Sequence, residues 1–172
     1  MKIESVVVGS YQENCYIVSI DNKCLIVDPG DEANKIIDKV GNLEVLGILV
    51  THHHFDHVGV LEEIKNKYNV DVYDFNTTEE KEYNIDKFKF IVIKNPGHTE
   101  DSISFYFKDE NIMFVGDFVF RNSIGRCDLG GNELEMKNSI EKLKENKEDI
   151  ILYPGHGDKT NLNYEKMYNP FF

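Results

Sequence analysis

The stretch Leu49–Gly59, LVTHHHFDHVG, holds four of the chain's six histidines and an aspartate within six positions: His52, His53, His54, Asp56 and His57. It follows LGILV, an apolar run of the kind that forms a buried strand. In an extended segment side chains alternate with period two, so His52 and His54 point one way and His53 the other. Two imidazoles converging on one target are a natural metal pair. Asp56 and His57 come where the chain turns into the amphipathic pattern VGVLEEIKNKY. They can face the same cavity from a second direction.

Three further signals supply more ligands. His98 lies in NPGHTEDS, Asp117 in FVGDFVF and His156 in LYPGHGD. Each sits on a loop at the end of a predicted strand, where rigid scaffolds carry active residues. His52, His54, Asp56, His57, His98, Asp117 and His156 are too many ligands for one tetrahedral zinc. They suit two cations sharing a carboxylate. Five of the six histidines fall in these signals, and His53 is expected to be structural.

The rest of the chain frames that centre. Nineteen basic against 31 acidic residues give a net charge of −12, which disfavours nucleic acid, whose binding needs clustered Lys and Arg. No apolar run reaches the length of a membrane span. The opening MKIESVVVGSYQEN lacks the apolar core of a signal peptide. Cys15, Cys24 and Cys127 are odd in number and without CxxC spacing, so they read as reduced thiols in a cytoplasmic protein.

Strand-like IESVVVGS, NCYIVSI and KCLIVD open the chain, and EANKIIDKV has helical spacing. After the His cluster come VDVYDF as a strand, NTTEEKEYNIDK as a polar loop, then FKFIVI, SISFYF and NIMFVGD as strands. GNELEMKNSIEKLKENK reads as a helix with Leu134, Ile140 and Leu143 on one face, and DIILYPGHG as a last strand. With no linker or repeat, this order predicts one layered α/β domain over residues 1–172.

THHHFDH has the form T-H-x-H-x-D-H. Followed in order by PGHT, GD and PGHG, and preceded by NCYIV and IVDPG, it resembles the metallo-β-lactamase-fold hydrolases. GDFVFRNSIGRCDLGG and the closing NPFF are similar to short relatives of the hydroxyacylglutathione hydrolases, the glyoxalase II enzymes. The resemblance implies an αββα sandwich with its site at one edge of the sheets. It implies one cation on His52, His54 and His98, a second on Asp56, His57 and His156, and Asp117 bridging them. Zinc is the default metal for such ligands, with iron or manganese also compatible. A carboxylate in the bridging place, and no cysteine there, argues against the zinc β-lactamases themselves.

The reaction implied is hydrolysis of a small thioester or ester by a hydroxide held between two cations, with Asp56 and Asp117 as catalytic carboxylates. Arg126, in IGR, matches a position where the family places a basic residue near the glutathione-derived part of the substrate. Full-length glyoxalase II enzymes add a C-terminal helical domain, which the short stretch after His156 does not supply. The competing expectation is a mononuclear iron dioxygenase acting on persulfides, with two histidines and one carboxylate as ligands. A non-catalytic metal module and a nuclease are the remaining readings. Neither substrate identity nor oligomeric state is legible at this level.

Overall fold

The computed structural model describes residues 1–172. Its first sheet joins β1 (Lys2–Val8), β2 (Glu13–Ile20), β3 (Lys23–Val27), β4 (Glu44–Leu49) and β5 (Val72–Tyr73) in that order. The first two pairings are antiparallel and the last two parallel. Parallel neighbours need a crossover, and helices provide both. Helix α1 (Ala33–Val40) links β3 to β4, while α2 (Phe55–Val58) and α3 (Leu61–Tyr68) link β4 to β5.

The second half of the chain forms β6 (Glu82–Ile85), β7 (Phe88–Lys94), β8 (Ile103–Phe107) and β9 (Ile112–Gly116). A small hairpin, β10 (Val119–Phe120) with β11 (Ser123–Ile124), comes next. Then follow α4 (Glu133–Lys144), β12 (Ile151–Pro154), β13 (Thr160–Asn161) and α5 (Leu162–Tyr168). The second sheet runs β13-β12-β9-β8-β7-β6.

The period-two pattern explains the layers. Tyr16 and Val18 of β2 face inward to meet Phe90, Phe105 and Phe114 of the second sheet. Cys15 and Ile17, on the opposite face, pack with Ile36 of α1 and Ile64 of α3. On the far side, Met113 and Leu152 lie with Met136, Ile140 and Leu143 of α4 and with Leu162 of α5. The result is the αββα sandwich expected from the sequence.

Four local expectations are corrected. The helix after the His cluster breaks in two, with His57 inside α2. At the corner, a Cβ on Gly59 would lie 2.3 Å from the Gly30 carbonyl, so glycine permits the close approach. The polar stretch after Asn76 contains β6, a half-buried edge strand whose Tyr83 and Ile85 alternate with exposed Glu82 and Asn84. Leu134 does not join the buried face of α4. It lies in the first turn, 67% exposed, while Met136, Ile140 and Leu143 turn inward. The tail adds β13 and α5, whose first turn is capped by Asn161 accepting from Tyr164 N at 2.9 Å.

Candidate metal centre

All four signals emerge at one edge of the sandwich. The cluster follows β4, His98 precedes β8, Asp117 follows β9 and His156 follows β12. Strands β9 and β12 are parallel, with Pro154 opposite Gly116, so Asp117 and His156 leave the sheet side by side. Cross-sheet bonds close this edge. Ile103 N donates to Thr51 O at 2.8 Å, and Asn14 N to Gly155 O at 2.7 Å. The Asn14 side chain also donates to Pro154 O and Gly157 O, gripping the PGHG turn from β2. That turn needs glycine, because a Cβ on Gly155 would stand 2.4 Å from both Asp117 Oδ1 and His57 Cε1.

Ligand-capable atoms gather into groups lying within 4.8 Å of one another. His52, His54 and His98 form one, Asp56, His57 and His156 another, and His52, His57 and Asp117 connect them. In the first, His98 Nε2 lies 2.9 Å from His54 Nδ1. In the second, His156 Nε2 lies 3.3 Å from Asp56 Oδ2. The Asp117 carboxylate stands between the two. Its Oδ1 is 3.3 Å from His57 Nε2, and its Oδ2 is 3.6 Å from both His98 Nε2 and His156 Nε2.

Supports behind the rings fix which nitrogen is free. His98 Nδ1 donates to Arg126 O at 2.7 Å, His54 Nε2 to Leu129 O at 3.1 Å and His156 Nδ1 to Tyr11 O at 3.1 Å. Each leaves its other nitrogen as a lone pair aimed into the centre. Asp28 anchors the remaining two rings. It accepts from Thr51 N at 2.7 Å, from the Thr51 hydroxyl at 2.6 Å and from His57 Nδ1 at 3.1 Å. The Thr51 oxygen, its proton committed to Asp28, accepts in turn from His52 Nδ1 at 3.1 Å.

The donor set fits cations. His52 Nε2, His57 Nε2 and Asp117 Oδ1 are buried without hydrogen-bond partners. The 3.3 Å between His57 and Asp117 is charge attraction at an angle unsuited to a hydrogen bond. Unpaired buried polar atoms are costly and rarely left unmet. Burial, then the neighbouring histidines, hold His52 well below the usual imidazole range, which keeps it a neutral donor. His98 is lowered chiefly by burial as well.

For His57, burial opposes the charge, but the Asp117 and Asp28 carboxylates outweigh it and raise its pKa. Burial likewise works against an ionised Asp117, yet the imidazoles of His57, His156 and His98 keep its carboxyl below the usual range. An added proton on His57 thus answers two carboxylates, and a cation held by the same atoms would replace it.

Three supporting residues escaped the sequence reading. Asp28 and Thr51 sat in stretches read as a turn and a strand end. Glu13 is 1% exposed with both carboxyl oxygens unpartnered, and it shares a third group with Asp28 and His57. Burial pushes its carboxyl up to about 10, with His57 opposing and nearby aspartates adding, so it is neutral at pH 7. No pattern in YQENCY marks Glu13 in advance.

His53 does point away, bonding Asp101 at 2.5 Å and Asp74 at 3.1 Å. Arg126 contributes its carbonyl to His98, while its exposed guanidinium is held bidentately by Asp128 at 2.6 and 2.5 Å. Burial raises the Cys127 thiol, away from the reactive thiolate range. Exposed Tyr11 and Phe55, stacked edge to face at 5.2 Å, and exposed Leu129 carry apolar surface beside these residues.

The comparisons agree with this fold. The family model described as "Metallo-beta-lactamase superfamily" matches residues 8–76 and 71–156. A probable metallo-hydrolase of Bacillus subtilis, YqgX, is 35% identical over 99% of this chain and 97% of its own. The hydroxyacylglutathione hydrolase GloC of Haemophilus influenzae is 31% identical over 99% and 98%. Among solved structures, the BLEG-1 B3 metallo-beta-lactamase superposes with a TM-score of 0.94 at 30% identity, covering 99% of both chains. A protein crystallised in a di-iron-bound form gives 0.88 at 30% identity, covering 98% of this chain and 100% of the other. No helix is long and apolar enough to cross a membrane. With its motifs, its fold and these likenesses in agreement, the chain belongs to the metallo-beta-lactamase superfamily.

Proposed function

We propose that the protein is a binuclear metal-dependent hydrolase of small thioesters, with hydroxyacyl-thiol substrates of the glyoxalase II type. The observation that carries this reading is the place of Asp117. Its two oxygens face His57, His98 and His156 together, as a carboxylate shared by two cations requires. His52, His54 and His98 would hold one cation, and Asp56, His57 and His156 the other. Such cations supply Lewis acidity and activate water at neutral pH. Asp56 and Asp117 would hold the cations and, as acceptors, orient such a water by its protons. The thioester carbonyl would lie against the His52–His54–His98 group, with the leaving thiolate toward His156.

The likeness to GloC supports the thioester class, and the di-iron relative supports two metals. The iron dioxygenase reading needs only two histidines and one carboxylate, and leaves the convergence of His57 and His156 without a use. The test is metal analysis of the purified protein, followed by assay of S-lactoylglutathione beside thioesters of other thiols, a lactone and nitrocefin. About two cations per chain and metal-dependent thiol release are expected. A single iron with oxygen uptake on a persulfide would overturn the proposal, as would nitrocefin turnover without thioesterase activity.

A further inference from the structure

Resting on the thioesterase reading, we propose a cation subsite beside the metal centre, formed by Tyr11, Phe55 and Asp31, which takes an alkylammonium group on the thiol half of the substrate. A cleft of about 180 Å³ opens where the β1–β2 turn meets Gly30, Asp31 and the start of α2, with Tyr11, Asp31, Phe55 and Asp56 in its wall. That is smaller than the roughly 300–1,000 Å³ of whole-ligand pockets, so it fits one end of a substrate. The cleft adjoins the second cation group. Phe55 stands in the chain between His54 and Asp56, and Tyr11 O accepts from His156 Nδ1 at 3.1 Å. This is the side toward which the thiolate would leave.

The wall has aromatic rings and negative charge, both open to solvent. Tyr11 is 60% and Phe55 66% exposed, with ring centroids 5.2 Å apart and planes at 80°. At that exposure both rings keep surface for a ligand, and a ring face attracts a cation through its quadrupole. The exposed Asp31 lies against the turn, where a Cβ on Gly9 would stand 2.9 Å from its Oδ2. Its Oδ1 accepts from Glu32 N at 2.6 Å. The nearby Lys35 does not neutralise it, being engaged by Glu32 at 3.3 Å and by Val7 O at 2.6 Å. No residue lining the cleft is basic.

Those groups define the ligand. Two rings and a carboxylate without a basic partner attract an ammonium group and repel a carboxylate. The net charge of −12 acts in the same direction. On the His98 side, Arg126 is held bidentately by Asp128 and offers no free charge to an anionic thiol. The reaction itself is unchanged. Water supplies the oxygen that bonds the acyl carbon, the C–S bond breaks and its electron pair leaves with the thiolate. The ammonium group makes and breaks no bond, and its contacts set which thiol is accepted.

Two measurements on the zinc-loaded full chain test the subsite. In amide-resonance titrations, choline is compared with its neutral isostere, which has carbon in place of nitrogen. Choline is expected to perturb residues 9–11, 31 and 55–59, and to bind about five- to tenfold more tightly. In hydrolysis, lactoyl thioesters of thiocholine, of its carbon isostere and of mercaptopropionate are compared. A quaternary ammonium is used because a primary amine would capture the acyl group itself. KM should be lowest for the thiocholine ester, by a similar factor over the neutral one. Asp31→Asn and Tyr11→Leu, both at exposed side chains, should each narrow the choline preference about two- to threefold. Equal binding of choline and its isostere would overturn the proposal, as would perturbation confined to other surfaces or a lower KM for the anionic ester. Absence of hydrolysis with all three esters would instead overturn the thioesterase reading, and the choline titration would still decide the subsite.

Discussion

Replacing Asp28 by asparagine changes one buried atom and should cost the second cation. Asp28 is 2% exposed and accepts three hydrogen bonds, two from Thr51 and one from His57 Nδ1. An amide keeps one acceptor and replaces the other oxygen with a donor. If its oxygen stays on Thr51 N, its NH₂ faces the Thr51 hydroxyl and His57 Nδ1. The hydroxyl can rotate to accept. His57 must then accept at Nδ1 and carry its proton on Nε2, the nitrogen 3.3 Å from Asp117. That nitrogen loses the lone pair a cation needs.

Losing a support of this kind typically weakens metal binding about 10–100-fold, or roughly 1.4–2.7 kcal/mol. His54 and His98 have their own backbone acceptors, and the rotated Thr51 hydroxyl oxygen still accepts from His52 Nδ1, so the first cation should change by less than about threefold. Zinc titration of the metal-free Asp28→Asn protein against a chromophoric chelator separates the two steps, with circular dichroism as the check on folding. Two cations bound as tightly as in the parent would refute the argument that Asp28 sets the His57 tautomer.

Gly155→Ala should destabilise the protein by about 1–3 kcal/mol through the two 2.4 Å clashes, read by calorimetry as a melting point several degrees lower; an unchanged melting point contradicts the tight turn. Because the His57 pKa is raised in the metal-free chain, cation uptake should release a proton and strengthen as pH rises, which calorimetry in buffers of different ionisation enthalpy measures as about one proton near pH 7. Zero release would remove the shared-proton picture. For His53, burial lowers the pKa but the Asp101 and then Asp74 contacts raise it overall. Its contribution to stability is therefore complete below the ordinary imidazole range and lost as pH climbs through the raised value. Urea unfolding of metal-free His53→Gln against the parent should show a penalty up to about 1 kcal/mol larger at pH 5.5 than at pH 9, given its partial exposure; equal penalties would refute it. Asp128→Asn should free the Arg126 guanidinium and lower KM for an anionic thioester about two- to fivefold, by added charge attraction at the mouth. A KM that holds or rises would leave Arg126 with only its carbonyl role.

Much of this protein is legible locally. Alternation in NCYIVSI and SISFYF, helical spacing in EANKIIDKV and the ligand chemistry of HHHFDH depend on neighbours within one element, and the chain carries them in plain order. His53 facing away from His52 and His54 followed from the pleat alone. Leu134 was misassigned because helical spacing leaves the phase at a helix's first turn open, and packing against the sheet sets it. Strand β6 was hidden because only half of an edge strand is apolar, and here the other half is charged.

What the tertiary structure alone decided are the relations between distant segments. Sequence could not show that β9 and β12 lie parallel and adjacent, which is why Asp117 and His156 meet. Nor could it show Asn14 holding the PGHG turn, Asp28 behind His57, or the neutral carboxyl of Glu13 beside them. Burial and hydrogen-bond geometry arise only when the sheets close on each other. A residue's type states what bonds it can make, and the fold determines which of them it does make.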